Sequence, residues 1–240
     1  MDTSPKHIIV IGGNGGIGQA MVDELLHYFP AAIIHSTHCR NDVARQDERI
    51  NWHQLDIRDT EQIEAWSSTF TQVDWIINCA GYLHGDMGGP EKSISAVEAD
   101  FLIENIKVNT LPTLALAKHF KRALRKSAAP ILATVSARVG SISDNKLGGW
   151  YSYRISKAAL NMALKTLSIE WQHSHPRGCV AALHPGTNDT HLSQPFQANV
   201  PPERLFKPSY TASKFVALLA QLEPKQTGNF WAWDGTKIPW

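Results

Sequence analysis

Two side chains with acid-base chemistry stand four residues apart in the run Gly149-Trp150-Tyr151-Ser152-Tyr153-Arg154-Ile155-Ser156-Lys157, at the head of a segment with helical spacing. On a helix, positions i and i+4 share a face, so the phenol of Tyr153 and the ammonium of Lys157 are neighbours. A phenol alone titrates near pH ~10, and a fixed cation beside it stabilises the phenolate and lowers that value. Tyr153 could then pass a proton to a carbonyl oxygen or take one from an alcohol. The same spacing also describes an ordinary exposed pair, so its meaning rests on what else the chain carries.

A second constellation is Gly12-Gly13-Asn14-Gly15-Gly16-Ile17-Gly18, directly after the apolar run 7–13 and at the start of helical spacing over 17–29. Glycines there allow positive φ and let the backbone approach a pyrophosphate, toward which the following helix points free N–H groups. Gly12, Gly16 and Gly18 form G-x-x-x-G-x-G, not the commoner G-x-G-x-x-G.

Short apolar runs at 7–13, 32–37, 52–57, 73–81, 130–137, 178–185 and 228–234 read as strands, with helical segments between most of them. This alternation predicts one α/β domain over 1–240, doubly wound, with a mostly parallel sheet of about seven strands and helices on both faces. Ligands in such a fold bind beyond the carboxyl ends of the strands, where the first turn carries phosphate.

Composition limits the partners. The 240 residues are 43% hydrophobic and 19% charged, with a formal charge of +1. No basic run suggests a nucleic-acid or anionic-membrane surface, so a small molecule is the expected partner. Cys39, Cys79 and Cys179 lie far apart and are expected to be reduced thiols. The polar residues 1–7 lead into a short apolar strand, and no apolar run reaches the ~18 residues of a membrane span, so a cytoplasmic protein is expected. None of the 11 histidines has metal-ligand spacing. His184, just before Pro185, could reach the cofactor region but reads first as a structural strand-end residue, and Trp231, Trp233 and Trp240 as either packing or a substrate mouth.

With these motifs in order, the chain resembles the short-chain dehydrogenase/reductase family over essentially its whole length. Gly12–Gly18 matches the family's glycine turn, with Ile11 where threonine is usual. Asp56, followed by Ile57, matches the acidic residue that contacts adenine, and Asn78-Cys79-Ala80-Gly81 matches N-N-A-G with one substitution. Asn109 matches the active-site asparagine, Tyr153 and Lys157 the catalytic pair, and Pro185-Gly186 with Thr190 the loop that binds the nicotinamide carboxamide. The segments 140–142, 148–154 and 235–240 resemble the C-factor-like and sniffer-type carbonyl reductases.

The resemblance implies a Rossmann-type oxidoreductase in which Tyr153 is the general acid-base, Lys157 lowers its pKa and anchors ribose, and Asn109 orders a proton relay through water. Gly12, Asn14, Gly16, Ile17, Gly18, Asp56, Ile57, Asn78, Ala80, Gly81, Tyr153, Lys157, Pro185, Gly186 and Thr190 would contact the cofactor. The family's carbonyl-polarising serine is displaced: three residues before Gly140 stands Ala137. Ser136 is preferred in its place, given a one-residue slip or bulge, with Ser141 and Ser143 as alternatives. Pro112 within the helical stretch 97–126 is expected to kink it beside Asn109, or to begin a helix there.

At the end of the second strand, 31–41 holds no carboxylate for a ribose 2′-hydroxyl, while Arg40 offers a guanidinium suited to a 2′-phosphate, with Ser36, Thr37 and Asn14 as neutral donors. NADP(H) is therefore the expected cofactor, with NAD(H) the alternative. Segments 82–100 and 188–208 are expected to wall the substrate pocket. The resemblance further implies a homodimer or homotetramer through the helices carrying Asn109 and Tyr153. The competing reading is a dinucleotide-binding signalling protein of the C-factor type with little or no turnover.

Overall fold

The computed structural model describes residues 4–39 and 46–240. Among these, strands β1 (His7–Ile11), β2 (Ile33–His38), β3 (Ile50–Gln54), β4 (Trp75–Asn78), β5 (Ile131–Val135), β6 (Cys179–His184), β9 (Asn229–Ala232) and β10 (Lys237–Ile238) form one eight-stranded sheet. Its order is β10-β9-β6-β5-β4-β1-β2-β3, parallel except for β10 against β9. The chain winds outward from β1 to β3, then crosses back to β4 and winds the other way. The switch point is therefore the cleft between β1 and β4, where the doubly wound fold places its ligand.

The seven apolar runs all become strands, and the eighth corrects the expected count. The turn at Asp234 and Gly235 folds β10 back on β9, with Asp234 Oδ1 accepting from the Thr236 N–H at 3.0 Å. Two short strands, β7 (Thr187–Asn188) and β8 (Leu205–Phe206), pair separately and tie off the segment between them.

The sheet is buried on both faces because alternate strand residues point to opposite sides and both sides are apolar. Ile8 and Val10 pack with helices α1 (Gly16–Tyr28) and α7 (Pro208–Leu219) through Met21, Leu25, Phe215 and Leu219. Ile9 and Ile11 face α2 (Thr60–Ser67), α4 (Leu111–His119) and α6 (Tyr151–Ser174), meeting Ile63, Leu116, Phe120, Leu160 and Leu164. Trp231 is buried in the first layer, Trp233 packs on Phe206 and Tyr210, and Trp240 stacks on Phe230.

The helical stretch 97–126 is three helices: α3 (Ala99–Asn109), α4, and α5 (Lys121–Arg125). The break falls at Thr110, and Pro112 sits in the first turn of α4, where its missing N–H costs no intrahelical bond. Asn109 is thus the last residue of α3.

Candidate active site

The first turn is shaped by close backbone approach. Gly12 has φ of 71°, which glycine adopts without steric cost. Its N–H donates to Thr37 Oγ1 at 2.9 Å, and the Gly13 N–H to the Thr37 carbonyl at 2.9 Å, so the end of β2 holds the turn. At Gly18 a Cβ would lie 2.0 Å from the Gly12 carbonyl oxygen, and at Gly16 2.5 Å from Thr190 Cγ2. The cradle therefore depends on bare backbone, and no acidic side chain occupies the first turn of α1. These features fit a dinucleotide pyrophosphate at a helix N-terminus.

Tyr153 and Lys157 lie on the buried side of α6, with Lys157 Nζ 5.7 Å from the centre of the Tyr153 ring. Nζ donates to the Val135 carbonyl at 3.0 Å, which fixes the ammonium at the carboxyl end of β5. Burial raises the phenol above its ordinary value and lowers Lys157 to about 7. In this geometry the expected depression of the phenol by its cation does not emerge. Both groups sit where water is excluded, and desolvation disfavours each charged form.

The head of α6 lacks a side-chain cap of its own, and Trp150 precedes it in left-handed backbone with φ of 54°. Glu91, buried and remote in sequence, supplies the acceptor: its carboxylate takes the Ser152 N–H at 3.1 Å and the Ser152 hydroxyl, and its carbonyl takes the Trp150 N–H. An acidic group at a helix N-terminus satisfies free donors and complements the helix dipole.

Asn109 is buried with its amide fully engaged. Oδ1 accepts the Tyr82 N–H at 2.8 Å, while Nδ2 donates to the Tyr82 carbonyl at 2.8 Å and Ser156 Oγ at 3.0 Å. The side chain thus pins the strand-end turn at 81–82 to α6. Asn78 acts similarly, accepting from the Ala80 N–H and donating to Thr113 Oγ1. Asp56 is gripped by Arg58, with Oδ2 2.6 Å from Nη2. Ile57 packs on the apolar layer below, and Asn14 is half-buried.

A cavity of about 310 Å³ opens at the carboxyl ends of β4, β5 and β6. It gathers Tyr153, Lys157, Ser136, Ile17, Ala80, Gly81, Pro185, Gly186 and Thr190. Leu83, Leu192, Phe196 and Val200, from the two irregular segments, supply apolar wall. Gly12, Asn14, Gly16, Gly18, Asp56, Ile57, Asn78 and Asn109 lie outside its lining.

The serine alternatives separate. Ser141 Oγ donates to the Pro239 carbonyl at 2.6 Å and Ser143 Oγ to the Trp240 carbonyl at 2.8 Å, so both hold the C-terminal segment and neither lines the cavity. Ser136 lines it, but its hydroxyl donates to Asn161 Oδ1 at 2.7 Å. Of the neutral donors suggested beside the second strand, Ser36 and Thr37 are buried and committed to β1 and the glycine turn. Arg40 lies outside the described residues. Sequence reasoning passed over Glu91, whose partner is sixty-one positions away; His184, immediately before Pro185, lines the cavity.

Residues 6–201 match the family described as short chain dehydrogenase. The chain belongs to that family of oxidoreductases. It is 31% identical over 169 residues to C-signal of Myxococcus xanthus, covering 70% of this chain and 93% of that protein. Carbonyl reductase Sniffer of D. melanogaster superposes with a TM-score of 0.84 at 26% identity, over 98% of this chain and 99% of that one. An NADPH-bound carbonyl reductase from chicken fatty liver shares the fold, with a TM-score of 0.87 at 23% identity over 100% of this chain and 96% of that one. In this short chain dehydrogenase Tyr153 and Lys157 belong to one long helix and the glycine turn to the first crossover.

Proposed function

We propose that this short chain dehydrogenase transfers a hydride between a nicotinamide dinucleotide, NADP(H) in preference to NAD(H), and the carbonyl or alcohol carbon of a small neutral molecule. The observation that carries this reading is the convergence of Tyr153 and Lys157 in one cavity with Gly81, Pro185, Gly186 and Thr190, beside the glycine turn. The nicotinamide supplies or accepts the hydride when bound. In the reducing direction Tyr153 delivers its proton to the carbonyl oxygen as that oxygen becomes an alcohol, and in the oxidising direction it removes the proton. Lys157 supports the phenolate through its charge and would hold the nicotinamide ribose. Asn109 keeps the 81–82 turn and α6 in register and orders the proton relay.

The walls favour a neutral, largely apolar carbonyl compound: Leu83, Val139, Phe196 and Val200 face the cavity, and the one arginine lining it among the described residues, Arg138, is paired with Asp144 at 3.2 Å. Apolar side chains exposed on α3, α4 and α6, among them Ile103, Leu111 and Met162, suit a homodimer or homotetramer.

The test is turnover of aldehydes, ketones and quinones with NADPH and with NADH. Tyr153→Phe keeps cofactor affinity and lowers kcat by about a hundredfold or more, the usual worth of a positioned acid-base group. Substantial turnover by that variant sinks the reading. NADPH binds more tightly than NADH, and Arg40→Ala loses that selectivity. The similarity to C-signal supports a second reading, a dinucleotide-binding signalling protein, which predicts cofactor binding without turnover of any carbonyl class.

A further inference from the structure

Resting on the dehydrogenase reading, we propose that His184 polarises the substrate carbonyl through its Nε2–H and stabilises the oxyanion that Tyr153 protonates. A carbonyl accepting hydride needs a fixed donor where negative charge develops on its oxygen. The polar groups of the cavity wall are mostly occupied. Lys157 Nζ is held by the Val135 carbonyl, Ser136 Oγ by Asn161, Asn188 Nδ2 by the Pro185 carbonyl, and Ser193 Oγ by the Asn188 carbonyl.

His184 differs. Its Nδ1 accepts the backbone N–H of Arg138 at 3.2 Å, so in the neutral ring the proton resides on Nε2. Nε2 makes no hydrogen bond among the described residues. Burial lowers the ring's pKa to about 4, which keeps it a neutral donor near pH 7.

Register places that donor on the reacting side. Val135 is opposite Leu183, so Ser136 and His184 follow as neighbours at the carboxyl ends of β5 and β6. Leu183 points into the layer of α1 and α7, and alternation turns His184 toward the layer of α6, which carries Tyr153. The peptide joining Ala137 to Arg138 lies against the imidazole, and Ala137 itself lines the cavity. A hydroxyl at position 137 would enter the same cavity and could do the same work.

The experiment measures kcat and KM of the full-length protein with NADPH and whichever carbonyl substrate the wild type turns over fastest. His184→Ala should lower kcat by about tenfold or more with little change in the KM for NADPH, and by more than Ser136→Ala does. Adding Ala137→Ser to His184→Ala should recover most of the loss, a rescue that a merely structural histidine would not show. Wild-type kcat in His184→Ala, no rescue by Ala137→Ser, or a larger loss in Ser136→Ala overturns the assignment. Should His184→Ala fail to fold, His184→Gln and His184→Met decide, since only the glutamine can donate, and equal rates overturn it. Tyr153→Phe is run alongside: its inactivity with an unaffected His184→Ala rejects only the role of His184, whereas its full activity rejects the underlying reading.

Discussion

The two edges of the sheet each carry a cavity with titratable side chains, and they differ in kind. At the amino ends of β1 and β2, beside β3, a space of about 480 Å³ is lined by His7, His35, His53, Phe70 and Gln72 among others. At the carboxyl ends of β4 to β6 the space is smaller, about 310 Å³. Burial, helped by His53 and His7, pulls His35 down to about 4, so both edges hold strongly shifted groups. Yet His35 stacks on His53 at 5.8 Å between centroids and lies tilted against His7 at 5.7 Å, and no grouping of metal-holding geometry exists among the described residues. The carboxyl edge instead combines the fixed side chains of Tyr153 and Lys157, a bare-backbone cradle and a helix N-terminus. Shifted groups mark burial; a site requires that they converge on space shaped for one ligand.

The largest expected effect tests the cradle. Gly18→Ala sets a methyl 2.0 Å from the Gly12 carbonyl oxygen and 3.0 Å from Gly13 Cα, so fluorescence titration should find NADPH binding lost. Retained binding would show that the carboxyl edge does not depend on that backbone approach.

Lys157→Met comes next and is read by pH. With a folded pKa of about 7 against an ordinary 10.5, the unfolded chain holds a proton that the folded chain has released between those values. Wild-type stability therefore rises with pH across that window. Between pH 7 and 9 the wild-type Tm should gain about 5 °C relative to Lys157→Met. Parallel Tm curves would place the ammonium in water.

His35→Phe is the smallest. Turnover should stay within about twofold of wild type, since the ring lies at the opposite edge. The folded ring titrates near 4 and an ordinary histidine near 6.5, so acidification through that window protonates only the unfolded chain. Wild-type Tm should fall by about 2 °C relative to His35→Phe between pH 6.5 and 5. A large loss of turnover would join the two edges functionally.

The same contrast explains what the sequence made legible. Strands buried on both faces are continuous apolar runs, and seven of them stood out, as did the glycine turn and the pair at 153 and 157. The two-residue strands β7, β8 and β10 carry no periodicity to detect. Asn109 was identifiable by motif, but its grip on Tyr82 and Ser156 depends on chain segments brought together only by folding. Glu91 capping α6 and the ring tautomer of His184 are likewise long-range facts. The sites of Ser141 and Ser143 were undecidable until β10 carried Pro239 and Trp240 against them.

The pairing of β7 with β8 separates two kinds of inheritance. Thr187 and Asn188 are zipped to Leu205 and Phe206, so the wall segment between them begins and ends on one small stem outside the main sheet. Changes of length within residues 194–204 leave β6, which ends in His184, and helix α6, which carries Tyr153 and Lys157, untouched, whereas Thr190 at the root of the segment packs against the glycine turn. The cavity wall can therefore change in length and composition on its own small stem while the main sheet stays fixed.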